Sequence, residues 1–198
     1  VTAPGMRSIE DHFDLVPPRD LVAEAPTDPG HEPVRAPHVH YVRQGQPLGL
    51  GHAVLQAERH VGGEAFALLL GDDLVDVRDP ILPRMLDVRA RYGGSVVALM
   101  EVPADEITGH GCAAARAWLE QDVIELADLI EKPAVDEAPS NLAIIGRYVL
   151  DPEVFTILRR TPPGRGGMVQ LTDALRTLSA LPAEHGGGVR GVIFSEIG

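Results

Sequence analysis

Short apolar runs alternate with stretches of helical periodicity along most of the chain. Five runs rich in aliphatic residues are short enough to be buried strands: FALLL, SVVALMEV, LADLIE, LAIIGRYVL and VRGVIF. Between them, apolar positions three or four residues apart predict helices in HAVLQAERH, ILPRMLDVRARYG, PEVFTILRR and LTDALRTLSAL. This alternation is typical of a mostly parallel sheet with helices on both faces, so an α/β fold is predicted. The section after SVVALMEV, to about residue 126, shows neither pattern and is expected to be irregular.

Residues 15–39 lack both patterns and contain six prolines among many charged residues. Proline has no backbone N–H to donate in a helix or an inner strand, so this segment is predicted to be a surface loop or linker. The chain as a whole has 198 residues, 44% of them hydrophobic, which is enough to fill one core. We therefore expect residues 1–198 to form a single domain.

The sequence carries no sign of export or of a membrane segment. No apolar run reaches about 18 residues, and VTAPGMRSIEDHFD has neither the basic region nor the apolar core of a secretory signal. Cys112 is the only cysteine, which fits a reducing compartment, and nothing beside it in the sequence would activate it as a nucleophile. These features predict a cytoplasmic protein.

The formal net charge of −12 limits the partners that this chain can have. A nucleic-acid surface needs a basic face, and the arginines form no run, so nucleic-acid binding is excluded from the expected functions. Binding to an anionic membrane surface is disfavoured for the same reason. An anionic ligand remains possible where a metal ion, a local cation and backbone N–H groups supply positive potential.

A glycine-rich turn from Gly45 to Gly51 leads into the helix predicted near His52. Such a turn allows a flat ligand to approach the backbone, although glycine and proline before a helix more often reflect ordinary turn chemistry. Gln44, just before the turn, could pair its amide with the edge of a base, or it could be a solvated loop residue. The histidines and the single cysteine show no zinc-binding spacing.

Charged residues follow two of the predicted strands. Asp72 and Asp73 come directly after FALLL, where a carboxylate can hold Mg²⁺ against phosphate oxygens or simply cap the next helix. Glu131 and Lys132 end the run LADLIE, and Lys132 is the only lysine, since the other 16 basic residues are arginine. A solvated cation in this chain would be expected to be arginine, so the lysine is a candidate point charge for a phosphate.

Five motifs in order resemble the bacterial UTP–glucose-1-phosphate uridylyltransferases: VRQGQPLGLGHAVL, LLLGDDLVD, LIEKP, DEAPSNLAIIGRYVL and QLTDAL. They span most of residues 40–178, and the chain is more broadly similar to the sugar-phosphate nucleotidylyltransferases. The resemblance implies a Rossmann-like α/β nucleotidyltransferase core with a mostly parallel, helix-covered mixed sheet. It also implies the family's reaction, in which an oxygen of glucose 1-phosphate attacks the α-phosphorus of UTP and forms UDP-glucose with release of pyrophosphate.

The resemblance also implies roles for the phosphate-side and base-side residues. Asp72 would be the ligand of a catalytic Mg²⁺, and Lys132 would hold the phosphate of glucose 1-phosphate or of UDP-glucose. Both would be catalytic, because transfer of this kind depends on positioning and on neutralising charge. Gln44 would address the uracil through hydrogen bonds, and Gly49 would do so through close backbone approach.

On the sugar side, the resemblance implies that Glu131 accepts hydrogen bonds from sugar hydroxyls. Gly111 and the backbone from Ile144 to Gly146 would line the sugar pocket. Thr172 and the aspartate that follows it in QLTDAL would fix the start of the helix that closes the pocket.

The chain departs from the family pattern in three places. The family opens with a strand and a loop of the type LAGGxGTRxxPxTK, and it has a later Asp-containing motif; we expect both of these to be missing here. Met168 stands where the family usually has glutamate before QLTDAL, and a thioether cannot replace a carboxylate as a hydrogen-bond acceptor.

Three interpretations stay open after these departures. The chain could be part of an active enzyme, a non-catalytic paralogue or partner subunit that binds a nucleotide sugar, or a structural remnant. Without the first strand the sheet would have an exposed edge, so a homo-oligomer or a missing segment is expected rather than a lone monomer.

Overall fold

The computed structural model describes residues 1–14, 38–76, 78–182 and 186–194. The chain forms two compact units, Val1–Pro47 and Leu48–Gly198. The proline-rich loop predicted for residues 15–39 lies, apart from its last two residues, outside the described part of the chain. The prediction of a single domain over residues 1–198 stays a prediction.

The first unit contains helix α1 (Arg7–Asp14) and a short extended contact. Thr2 and Arg43 form an isolated parallel bridge, in which the N–H of Thr2 donates to the carbonyl of Val42 over 2.8 Å. The guanidinium of Arg43 also pairs with Glu10 at 2.8 Å.

The second unit has alternating helices and strands, as the apolar pattern predicts. Its helices are α2 (Leu50–Gln56), α3 (Glu58–Val61), α4 (Ile81–Tyr92), α5 (Glu153–Leu158) and α6 (Leu171–Ser179), with short 3₁₀ turns at Glu106–Gly109 and Arg165–Gly167. Its strands are β1 (Phe66–Leu69), β2 (Ser95–Glu101), β3 (Gly111–Trp118), β4 (Val123–Glu131), β5 (Leu142–Leu150) and β6 (Val189–Phe194).

The described strands form one mixed sheet in the order β1-β5-β2-β6-β4-β3. The mixed sheet and the α/β class are confirmed, but the expectation of a mostly parallel sheet is wrong for these strands. Only β2 and β6 pair in parallel, whereas the other described pairings are antiparallel. Continuous apolar runs predicted parallel strands because such strands are buried on both faces, yet antiparallel strands covered on both faces have the same composition.

The section that was expected to be irregular contains a hairpin. Strand β3 (GCAAARAW) pairs antiparallel with β4, which begins at Val123, ahead of the predicted start. Alanine has little preference for strands, and the last four residues of β3 are exposed, so the segment lacks an apolar alternation. The pairing with β4, and not the local sequence, makes this segment a strand.

Helices cover both faces of the sheet. On one face, α4 buries Met85 and Val88 against strand residues that include Val96 and Val192. On the other face, α6 packs beside α2 and α5, with the fully buried Leu175 in the same apolar cluster as Leu126 and Leu129. Buried positions three and four residues apart explain the amphipathic form of α6: Leu171, Ala174, Leu175 and Leu178.

The sheet brings four chain segments to one place in the second unit. Strand β4 ends at Glu131, which pairs with Gly111 at the start of β3, and β1 ends beside Arg147 of β5. In the described part of the chain, no helix combines the length and apolar character needed to cross a membrane.

Candidate active site

A cavity of about 360 Å³ lies where these segments meet. Six residues predicted for the site line it: Asp72, Gly111, Glu131, Lys132, Ile144 and Gly146. The remaining lining residues are Leu50, Leu70, Asp73, Gly109, His110, Tyr148, Gln170, Leu171 and Thr172. The structure therefore brings together predicted residues that lie up to 74 positions apart in the sequence, as Asp72 and Gly146 do.

Glu131, the last residue of β4, is held by a side chain from α6. The hydroxyl of Thr172 donates to Oε2 of Glu131 over 2.6 Å. A Cβ at Gly111 would lie 3.2 Å from Oγ1 of Thr172 and 3.5 Å from Oε2 of Glu131. A side chain at position 111 would therefore crowd this hydrogen bond, which gives Gly111 a physical role in the cavity wall.

Lys132 has an unusual backbone conformation. Its φ of 46° makes it the one non-glycine residue with positive φ in the described part of the chain. Two hydrogen bonds hold it there: its N–H donates to the carbonyl of His110 over 3.0 Å, and its carbonyl accepts from the guanidinium of Arg165. A left-handed conformation costs an L-residue about 1–2 kcal/mol, and such strain concentrates at functional sites.

The segment that carries Asp72 and Asp73 is fixed by Arg147. The ladder between β1 and β5 continues beyond β1, because the N–H of Leu70 donates to the carbonyl of Gly146 over 3.0 Å. The guanidinium of Arg147 donates to the carbonyls of Leu70 and Gly146, each over 3.2 Å, and to that of Asp73. The contacts with Leu70 and Asp73 therefore tie the turn that presents both aspartates to β5.

Gly146 lies directly against the carboxylate of Asp73. It has a φ of 60°, and a Cβ built on it would be only 1.7 Å from Oδ2 of Asp73. Glycine therefore meets two requirements at this position, the left-handed backbone and the close approach of a carboxylate.

The charged groups of the cavity are mostly acidic. Asp72, Asp73 and Glu131 line it, with the ammonium of Lys132 and the imidazole of His110 as the basic groups. Burial, and then the charges of Glu131 and Asp73, raise the pKa of the Tyr148 phenol, so the phenol keeps its proton. Burial and the charge of Glu131 likewise raise the pKa of Asp173, the neighbour of Thr172.

Two predicted site residues are not among those that line the cavity. Gln44 belongs to the first unit, where its N–H donates to the carbonyl of Thr2 over 2.9 Å. Gly49 begins α2 with a φ of 109°, and a Cβ there would lie 2.6 Å from the carbonyl oxygen of Val169. Packing against Val169 explains this glycine, and the uracil roles of both residues stay predictions.

The structure adds residues that the sequence pattern did not assign to the site. Arg147 and Tyr148 look like ordinary strand residues, and only the pairing of β5 with β1 turns Arg147 towards the aspartate segment. Thr172 was expected to fix the start of its helix, but Gln170 occupies the N-cap and no side chain caps it. The hydroxyl of Thr172 binds Glu131 instead, a contact across 41 residues that no local signal indicates.

A comparison with protein families gives a match over most of the chain. The family model described as Nucleotidyl transferase matches residues 25–184. This chain belongs to the nucleotidyl transferase family. The family resemblance read from the five motifs is thereby confirmed.

Among nucleotidyl transferases, the chain is similar to bacterial enzymes named UTP–glucose-1-phosphate uridylyltransferase. It is 42% identical to the one from Streptococcus pneumoniae over 187 residues, which cover 90% of this chain and 62% of that protein. It is 41% identical to one from Bacillus subtilis over 181 residues, which cover 89% of this chain and 61% of that protein. The chain thus spans about three fifths of the length of the curated relatives it matches.

Solved structures of nucleotidyl transferases share the fold. The crystal structure of a UDP-glucose pyrophosphorylase complexed with UDP-glucose matches with a TM-score of 0.81 and 37% identity, covering 98% of this chain and 71% of that chain. The UDP-glucose pyrophosphorylase from Acinetobacter baumannii matches with a TM-score of 0.71 and 31% identity, covering 95% of this chain and 66% of that chain.

Proposed function

We propose that this nucleotidyl transferase forms the sugar-nucleotide site for transfer of a uridylyl group from UTP to glucose 1-phosphate. The observation that carries the proposal is the convergence of Asp72, Glu131 and Lys132 on one cavity. The name shared by the relatives, UTP–glucose-1-phosphate uridylyltransferase, supports the choice of nucleotide and sugar.

The predicted site residues are assigned to different parts of the ligand. Lys132 holds the phosphate, because a compact ammonium acts as a point charge on phosphate oxygens. Glu131 accepts hydrogen bonds from the sugar hydroxyls, and the backbone at Gly111 and from Ile144 to Gly146 lines the sugar. Gln44 and Gly49 are proposed to address the uracil.

The proposed reaction is a displacement at phosphorus. An oxygen of the glucose 1-phosphate forms a bond to the α-phosphorus of UTP, and the bond from that phosphorus to the bridging oxygen of pyrophosphate breaks. Little covalent chemistry is required of the protein, so its contribution is to position the two phosphates and to neutralise their charge. Lys132 neutralises part of that charge.

The carboxylates present fit Mg²⁺. The described residues contain no group of three His, Cys, Asp or Glu side chains that would cage a metal, but Asp72 and Asp73 line the cavity together. Mg²⁺ is usually held by one or two carboxylates together with substrate phosphates and water, and Asp72 would be its ligand from this chain. When bound, the ion would withdraw negative charge from the phosphate oxygens.

The enzyme assay measures pyrophosphate release from UTP and glucose 1-phosphate with Mg²⁺, and calorimetry measures UDP-glucose binding. We expect the wild type to release pyrophosphate and to bind UDP-glucose. We expect Asp72→Asn to lower turnover by at least about 100-fold, because the charge that holds the metal is lost. The control is Asp76→Asn, which changes a half-buried aspartate that pairs with Arg78 and does not line the cavity, and it should leave turnover unchanged.

A second candidate function is binding of a nucleotide sugar without turnover, as a paralogue or a partner subunit. It is favoured by Met168, because the family resemblance implies a glutamate at this position and a thioether is only a weak hydrogen-bond acceptor. UDP-glucose binding without pyrophosphate release would select this candidate, whereas absence of both would reject the site assignment itself. A homo-oligomer and a cytoplasmic location stay predictions, and sedimentation velocity tests the first.

A further inference from the structure

The contact between Thr172 and Glu131 joins a helix to the end of a strand inside the cavity. Its length of 2.6 Å lies in the range of hydrogen bonds from a hydroxyl to an ionised carboxylate, which are about twice as strong as neutral ones. Thr172 is buried, with 6% of its surface exposed. A hydroxyl has a single proton, so the proton of Thr172 is committed to Oε2 of Glu131.

The surroundings keep both partners in place. Thr172 is β-branched and therefore restricted at χ1, and its neighbour Leu171 anchors the first turn of α6 with 1% exposure. On the other side, Gly111 pairs with Glu131 across the β3–β4 ladder and leaves the space that the two side chains fill. The strand and the helix thus hold the carboxylate of Glu131, and the glycine at position 111 leaves room for it.

We propose that Thr172 is a positioning residue, which orients the Glu131 carboxylate so that Oε1 accepts hydrogen bonds from the sugar. Without the hydroxyl, the carboxylate can rotate and must be ordered when the ligand binds, which weakens binding. This inference rests on the proposed function for the identity of the ligand, but the contact between Thr172 and Glu131 can be tested without any ligand.

The first test compares Thr172→Val with Thr172→Ser. Valine keeps the shape and removes the donor, whereas serine keeps the donor. We expect the Kd for UDP-glucose and the KM for glucose 1-phosphate to rise about tenfold in the valine variant, with the KM for UTP unchanged, and to stay within about threefold of wild type in the serine variant. Thr177→Val is the control, because that hydroxyl lies on the exposed side of the same helix and donates to the carbonyl of Asp173.

The second test is a double-mutant cycle with Glu131→Ala. If Thr172 acts through Glu131, Thr172→Val adds no further loss of UDP-glucose binding to the Glu131→Ala variant. The same cycle measured by urea unfolding without ligand should give a coupling of about tenfold in the unfolding equilibrium constant.

The outcomes separate this inference from the proposed function. Additive effects on binding, or equal losses in the serine and valine variants, would overturn the positioning role. If the wild type neither binds UDP-glucose nor releases pyrophosphate, the proposed function fails and the sugar part of this inference fails with it. The unfolding cycle would then decide alone whether the hydrogen bond stabilises Glu131.

Discussion

Lys132 combines two properties at the scale of a single residue. It is the only lysine of the chain, and its backbone is in the left-handed region that glycine adopts most readily. Glycine would relieve about 1–2 kcal/mol of strain here, so the side chain is present at a cost to stability. This strained position is the physical reason to assign Lys132 a function.

Two substitutions separate its charge, its shape and its backbone strain. We expect Lys132→Gly to weaken UDP-glucose binding by at least about tenfold while leaving the free energy of unfolding unchanged or slightly raised, because strain relief offsets the entropy of glycine. Lys132→Arg keeps the charge and the strain, and we expect it to weaken binding because a wide fork replaces a compact ammonium. Calorimetry and urea unfolding measure both effects. Binding by the arginine variant at the wild-type level would show that any cation suffices.

Gly146 carries a second prediction at this scale. Gly146→Ala combines a left-handed alanine with a collision against the carboxylate of Asp73, so we expect a loss of more than about 2 kcal/mol in the free energy of unfolding. We also expect UDP-glucose binding to weaken, because Asp73 must move.

Gly166 supplies the matched control for Gly146. It has a φ of 69° and a ψ of 13°, but a Cβ there would meet no atom within 4 Å. Gly166→Ala should therefore show the backbone cost alone, about 1 kcal/mol, with binding preserved. Equal effects of the two substitutions would mean that the contact with Asp73 is unimportant.

At the scale of elements, an ion-pair network joins α4 to the turn between β3 and β4. The guanidinium of Arg84 contacts Asp122 at 2.6 Å and Glu120 at 2.8 Å. The hydrogen bond from Arg84 is the largest cause that lowers the pKa of both carboxyls below their ordinary values. The hairpin that the local sequence did not predict is thus tied to a helix by a cluster of charges.

This network predicts a pH-dependent stability. The ordinary pKa is 3.8 for aspartate and 4.5 for glutamate, and folding lowers the pKa of both carboxyls. Each carboxyl therefore stabilises the folded state fully at a pH above its ordinary pKa. This stabilisation is lost as the pH falls through the lower pKa of the folded state. We expect Arg84→Met to lower the urea midpoint at pH 7, and we expect its difference from the wild type to shrink as the pH falls below 3.8. A difference that stays constant as the pH falls would show that Arg84 stabilises through packing.

At the scale of the whole molecule, charge opposes the proposed ligand. The net charge is −12, and three carboxylates line a cavity that is proposed to bind an anionic nucleotide sugar. Long-range repulsion between like charges slows association, and salt screens it over about 10 Å at 0.1 M.

We therefore expect the association rate of UDP-glucose without divalent metal to rise about twofold to fivefold between low and moderate salt. Stopped-flow fluorescence measures this rate. The control is the binding of glucose, measured by competition, which should not depend on salt because glucose carries no charge. An association rate that falls with salt would show that attraction by the charge of Lys132 outweighs repulsion by the carboxylates.

The apolar pattern predicts the α/β class and most of the helices and strands, and the five motifs predict the family. Six of the eight residues predicted for the site line one cavity, and their roles stay predictions. The helices and strands were predictable because buried strands and amphipathic helices are local patterns. Asp72, Glu131 and Lys132 were candidates because they follow or end apolar runs, whereas Gly111, Ile144 and Gly146 came only from the family resemblance. The direction of the strands, the β3–β4 hairpin, and the contacts of Arg147 and Thr172 became visible only in three dimensions. These features depend on strand pairing and on contacts between residues 41 to 77 positions apart. A side chain that acts through such a contact produces no periodic pattern in the local sequence.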